Sequence, residues 1–213
     1  MDKTKIINEI IGRLGKEYPE VKSHLIFGSS FELLISTILA AQCTDDRVNQ
    51  VMVPLYKSKY HSPGDIISDG IDNFRDNINS INFFNNKSKA VFEVCNSLIK
   101  KFGSKVPDNI EDLTSMKGIG RKSANVLLGN CFNKKDVIIV DTHLIRVTKR
   151  LGLSVNDIPE KIEAEIKMII PEKEQYYFSM RIGEHGRTVC KAKKPDCSNC
   201  ILNDLCPSKK LFE

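Results

Sequence analysis

Four cysteines near the C-terminal end are spaced to hold a metal: Cys190-x6-Cys197-x2-Cys200-x5-Cys206, with Pro207 following. With 7 cysteines in 213 residues, a window of this length should hold about half of one, so four in it mark a site. Four thiolates in one short loop suit a structural zinc ion or a 4Fe-4S cluster. Only Cys197 and Cys200 form a C-x2-C pair, whereas a zinc ribbon brings two such knuckles from separate hairpins. The spacing therefore favours the cluster and leaves zinc open. An odd total argues against a disulfide framework and predicts buried thiols at Cys43, Cys95 and Cys131. Arg187, Lys191, Lys193, Lys194, Lys209 and Lys210 surround the loop, as either a solvated face or an anion-binding one.

A second chemical feature lies mid-chain. Leu113-Thr-Ser-Met116-Lys117-Gly118-Ile119-Gly120-Arg121-Lys122-Ser123-Ala124 sets two glycines around one apolar residue, between two helical stretches. Glycine serves where the backbone turns through positive φ and where amides must meet a ligand without a side chain intervening. Amides at the start of the second helix would form an anion site for one phosphate, with Ile119 anchoring the turn inward. An ordinary helix-turn-helix connection fits the same residues. Lys122 falls in the first turn, where a cation stands against the helix dipole and a neutral amine would be a nucleophile. Most helix lysines are simply solvated. Downstream, Val137-Ile-Ile-Val140 delivers Asp141, a good helix N-cap by type and place, and equally a carboxylate that could pair with Lys122.

These groups must be positioned by helices. Ile6, Ile7, Ile10, Ile11 and Leu14 make one apolar stripe; Leu33, Leu34, Ile35, Ile38 and Leu39 make a more fully buried helix. Asp45 or Asp46 is expected to cap a third, with Val48, Val51, Met52 and Leu55 inside. Further helices are predicted around 65–80 (two), from Lys87 to Phe102 ending at Gly103, and at about 120–130, 142–151, 160–169 and 173–186. Val137–Val140 has strand character but no partner run. The chain thus reads as all-α, about ten helices, with a boundary at the polar stretch Asn133, Lys134, Lys135, Asp136.

Composition narrows the class. The chain is 41% hydrophobic and 28% charged, ordinary globular proportions that exclude collagen-like or disordered chains. No apolar run reaches a membrane-spanning length, and the N-terminus is charged and amphipathic, so a soluble cytoplasmic protein is expected. Net charge is +5, which permits a polyanionic partner without requiring one.

Together the motifs resemble the endonuclease III family of helix-hairpin-helix DNA glycosylase/AP lyases, across nearly the whole chain. The likeness rests on four segments: Glu32-Leu-Leu-Ile through Ala41-Gln42-Cys43-Thr44-Asp45, the hairpin with Gly118, Gly120 and Lys122, Val140-Asp141-Thr142-His143, and His185-Gly-Arg187 leading into the cysteines. It implies a six-helix barrel over 23–135 and a cluster domain from 1–22 with 136–213, with a DNA cleft between them. It further implies a 4Fe-4S cluster on Cys190, Cys197, Cys200 and Cys206, Lys122 as nucleophile and Asp141 as its carboxylate partner. Gln42 would fill the gap left by an extruded nucleotide and Phe83 would act as a wedge. Gly118, Gly120, Arg187, Lys191, Lys193 and Lys194 would contact DNA. The implied enzyme is a monomer acting on double-stranded DNA with damaged bases, chiefly oxidised pyrimidines, or abasic sites. A non-catalytic DNA-binding module with a zinc loop and an adenine-glycosylase relative are the alternatives. Three positions depart from the family pattern: Lys117 for proline, Asn82 for glycine and Phe83 for leucine.

Overall fold

The computed structural model describes residues 3–212, and among them every regular element is helical. In order they are α1 (Lys3–Glu17), α2 (Ser30–Leu39), α3 (Asp45–Ser58), α4 (Pro63–Asp69), α5 (Ile71–Asn77), α6 (Phe84–Phe102), α7 (Ile110–Ser115), α8 (Arg121–Cys131), α9 (Thr142–Arg150), α10 (Pro159–Ile169) and α11 (Glu172–Thr188), closed by a 3-10 turn at Lys209–Leu211. The all-α expectation is met. The helix missing from the sequence count is α7, whose 6 residues bury only Leu113; a segment that short shows no apolar period. The helices sort into two compact units, Ser23–Asn133 and the segments on either side of it.

Within Ser23–Asn133, α2 is the central helix. Leu33, Leu34, Ile35 and Leu39 are all fully buried, and α2 packs on α3, α6 and α8. The Ser29 side chain caps it by accepting from the Glu32 amide. Helix α3 is capped by Thr44, whose hydroxyl accepts from the Arg47 amide, and not by Asp45 or Asp46. Those two carboxylates occupy its first turn instead, where the helix dipole favours negative charge without any cap bond. The inner face of α3 is Val48, Met52 and Tyr56, with Val51 and Leu55 half-buried. A reciprocal cap between Ser62 and Asp65 starts α4, and Gly103, at φ 57, ends α6.

In the other unit α11 packs against α1, α9 and α10. Ile10, Leu14, Ile138, Leu144, Ile166, Phe178, Ile182 and Leu202 form its shared core. Val137–Val140 crosses this unit as buried extended chain outside any ladder, and the Lys135 carbonyl accepts from the Tyr176 amide at 3.0 Å. Helices α9 and α11 meet at Gly186, where an added Cβ would lie 2.9 Å from the His143 Cβ and 3.2 Å from the Val147 Cγ2. Among the described residues no helix is long and apolar enough to cross a membrane.

The close approach at Gly186 gives a signed prediction. Alanine is the better helix former by about 1 kcal/mol, yet Gly186→Ala should destabilise by about 1–3 kcal/mol through overpacking. Gly12, on α1, has nothing within 4 Å of its missing Cβ, and Gly12→Ala should stabilise by about 0.5–1 kcal/mol. Denaturant midpoints of the two variants should move in opposite directions from the parent; a more stable Gly186→Ala protein would contradict the α9–α11 contact.

Candidate functional site

The glycine hairpin joins α7 to α8. Gly118 stands at φ 96, a conformation that strains any side-chain-bearing residue, while Ile119 is 4% exposed and packs inward as expected. Gly120 is the N-cap of α8 and offers no side-chain acceptor. The helix dipole adds positive potential at this end. Lys122, the second residue of α8, is exposed and has no hydrogen-bond or ion-pair partner among the described residues. Lys117 is engaged: its ammonium lies 3.1 Å from Glu93 in a largely exposed pair, which water exchanges readily.

Gln42 and Phe83 lie in the same unit as the hairpin. Both are exposed, Phe83 to 61% of its surface, and both adopt left-handed backbone, at φ 55 and φ 60. Such a conformation costs on the order of 1–3 kcal/mol for a non-glycine residue. Of the three thiols outside the cluster loop only Cys95 is fully buried, and burial pushes it up to about 12. Cys131 is half-buried and pushed up to about 11 by burial. Cys43 is half-buried too, because it follows the end of α2 in a turn rather than sitting on the buried face of a helix.

Asp141, Arg187, Lys191, Lys193, Lys194 and the four cysteines belong to the other unit. Asp141 is the N-cap of α9, its Oδ1 accepting from the Leu144 amide at 2.7 Å. Its Oδ2 lies 3.8 Å from the Arg187 guanidinium, which also faces Glu184 at 3.7 Å. Arg187 is thus part of a small charge network at the start of α9. Lys191, Lys193 and Lys194 are exposed.

Cys190, Cys197, Cys200 and Cys206 wall one concavity of about 330 Å³, including the space open to solvent, together with Arg150 and Phe212. Among the described residues no three such ligands stand at the spacing of a single metal ion. The donor set around the sulfurs suits a thiolate-held cluster. Arg150 donates to the Cys190 sulfur at 3.2 Å and the Leu202 amide to the Cys200 sulfur at 3.4 Å. The His185 Nε2 lies 3.4 Å from the Cys200 sulfur, and burial pushes this imidazole down from its ordinary value. Without a bound group, burial raises the Cys200 and Cys206 thiols; ligation would displace their protons.

Three arginines that sequence reasoning did not single out hold this loop. Arg150 also donates to the Lys191 and Ala192 carbonyls at 2.8 and 2.9 Å and stacks 4.4 Å from the Phe212 ring. Arg146, one turn earlier on α9, donates to the Cys190 and Gly186 carbonyls at 3.0 and 2.8 Å. Arg13 of α1 reaches the Ile201 carbonyl at 2.9 Å and both oxygens of Asp204. The only sequence signal was the i, i+4 spacing of Arg146 and Arg150 on an otherwise amphipathic helix.

Comparison with known proteins extends the geometry. Residues 35–172 match the model of the HhH-GPD superfamily base excision DNA repair protein. Residues 190–206 match the iron-sulfur binding domain of endonuclease III, which decides for an iron-sulfur cluster where spacing alone had left zinc open. The endonuclease III of Buchnera aphidicola is 39% identical over 94% of this chain and 93% of its own. That of Haemophilus influenzae is 37% identical over the full length of both. A solved structure of a trapped endonuclease III-DNA covalent intermediate superposes with a TM-score of 0.92 at 35% identity, covering 99% of each chain. Matched from α2 to the last cysteine in sequence and in fold, this chain belongs to the endonuclease III family of helix-hairpin-helix DNA glycosylase/AP lyases.

Proposed function

We propose that Lys122 is the nucleophile and Asp141 the charged partner in a base-excision reaction on duplex DNA carrying an oxidised pyrimidine or an abasic site. The observation that carries this reading is Lys122 itself: an exposed lysine, with no partner among the described residues, in the first turn of a glycine-headed helix. The chain is a close structural relative of a protein trapped in covalent union with DNA, and such union requires a protein nucleophile.

A damaged base inside a duplex is out of reach, so the nucleotide must be extruded at a cost of a few kcal/mol. Gln42 and Phe83 offset part of that cost by entering the gap. The α8 amides behind Gly118 and Gly120 hold a backbone phosphate, and Arg187, Lys191, Lys193 and Lys194 meet others. The Lys122 amine then attacks C1′ of the sugar as the N-glycosidic bond breaks; the base leaves with the bonding electrons and takes up a proton. Asp141 stabilises positive charge on the sugar and assists loss of the lysine proton. Ring opening gives a Schiff base, whose electron demand acidifies the C2′ hydrogen. Loss of that proton expels the 3′ phosphate, and water releases the lysine. An enzyme that used water from the outset would stop at the abasic site and would not need the amine.

The 4Fe-4S cluster held by Cys190, Cys197, Cys200 and Cys206 supplies a rigid tie for the loop that carries Lys191, Lys193 and Lys194. A cluster on four of the 7 cysteines and thiols at the other three, Cys43, Cys95 and Cys131, suit a reducing compartment, which supports action in the cytoplasm, on DNA.

Two measurements test the assignment. Lys122→Gln should abolish hydride trapping to an abasic duplex while affinity stays within a few-fold, since the hairpin amides are intact. Asp141→Asn keeps the capping oxygen, so folding should hold while excision falls by roughly two to four orders of magnitude. Trapping that survives Lys122→Gln and vanishes when another lysine is changed would move the nucleophile elsewhere. Affinity should also depend on salt: neutralising three to five phosphates gives a slope of roughly −3 to −5 in log K against log salt. Changing Lys191, Lys193 and Lys194 together to Gln should flatten it, and an unchanged slope would make these lysines a merely solvated face.

A further inference from the structure

Gln42 and Phe83 share an unusual condition: both are left-handed at a non-glycine residue, and both are exposed. Such backbone persists only where its surroundings over-determine it. Two hydrogen bonds, both within Ser23–Asn133, do so here. Asn82, the residue before Phe83, donates through Nδ2 to the Gln42 carbonyl at 3.1 Å. The chain that leads into α6 is thereby joined to the turn that ends α2. One turn into α6, Lys87 donates its ammonium to the Leu39 carbonyl at 2.8 Å, and the residue is only 6% exposed.

Leu39 is the last residue of α2, so its carbonyl has no partner further along the helix, and a cation at that end is favoured by the helix dipole. A site that needed only packing would take an apolar side chain, because burying an ammonium costs free energy. That cost appears as a lysine pKa held below its ordinary value by burial. The Asn82 bond is open to solvent and weaker, so the buried Lys87 bond is the stronger of the two ties.

We infer that Asn82 and Lys87 are positioning residues that bind the end of α2 to the start of α6, so that Gln42 and Phe83 enter the duplex as one pre-set pair. The inference rests on the reading of those two residues as gap-fillers and adds what holds them.

The test uses the full-length, cluster-loaded protein and a duplex with 2-aminopurine opposite a tetrahydrofuran abasic analogue, whose fluorescence rises when the opposite base is unstacked by insertion. Asn82→Ala and Lys87→Met are compared with Gln42→Ala and Phe83→Ala, alongside single-turnover excision and thermal midpoints. All four substitutions should reduce the fluorescence rise at saturating protein. Excision in Asn82→Ala and Lys87→Met should slow by about tenfold to a hundredfold, the scale of a small misplacement, with the Asn82→Ala midpoint unchanged within a few degrees. If Gln42→Ala and Phe83→Ala lose the signal while Asn82→Ala and Lys87→Met keep it, the positioning role is overturned and the gap-filling reading stands. If Gln42→Ala and Phe83→Ala keep it, that underlying reading fails first. Midpoints that fall while fluorescence and excision per folded molecule hold would reduce both residues to ordinary stability. Should Lys87→Met not fold, the exposed Asn82→Ala decides alone.

Discussion

A stretch of chain without regular secondary structure must have its backbone polar groups satisfied from outside, and the cysteine loop obeys this constraint through arginine. Arg146 and Arg150 sit one turn apart on α9 and between them bond to the carbonyls of Gly186, Cys190, Lys191 and Ala192. A planar guanidinium with several fixed donors can do this where a lysine could not. Arg13 adds the Ile201 carbonyl and Asp204 from α1. The phase of α9 is thereby set at its far end by the loop. At its near end it is set by the Asp141 cap, so the carboxylate proposed for catalysis and two of the arginines that hold the cysteine loop stand on one short helix.

Asp141 would combine the structural role of a helix cap with the chemical role proposed for it. Its Oδ1 is committed to the Leu144 amide, which fixes the carboxylate in one orientation, while Oδ2 faces Arg187 at a looser 3.8 Å. A group held by one oxygen needs no reorganisation when charge develops nearby, which is where electrostatic stabilisation is most effective. Lys122 follows the opposite rule. It is exposed on α8, and in the proposed reaction the backbone amides hold the anion, so grip and chemistry would be divided between main chain and side chain.

Much of this was legible in the sequence because it depends on local period or on spacing. The buried stripe Leu33, Leu34, Ile35 and Leu39, the inward Ile119 and the capping Asp141 all follow from patterns within one or two turns. What escaped depends on partners far along the chain. The Thr44 cap is the local exception, passed over for two adjacent aspartates that rank above threonine as caps. Nothing near Lys87 announced that it would be buried against Leu39, 48 residues away, and nothing near Lys117 pointed to Glu93. Cys43 and Cys131 were expected inside on residue type alone, yet both sit at helix ends, where burial is incomplete.

The packing of α1 on α11 also orders the protein's birth. Ser23–Asn133 is one continuous run that leaves the ribosome with all of its own helices present, and a contiguous unit of local helical contacts can fold as it emerges. By then α1 has been made for more than a hundred residues, with Ile10 and Leu14 still lacking Phe178, Ile182 and Leu202. Its apolar face must wait until α11 and the cysteine loop have been made. The cluster-bearing unit is thus assembled after Ser23–Asn133, around a helix that has been waiting throughout.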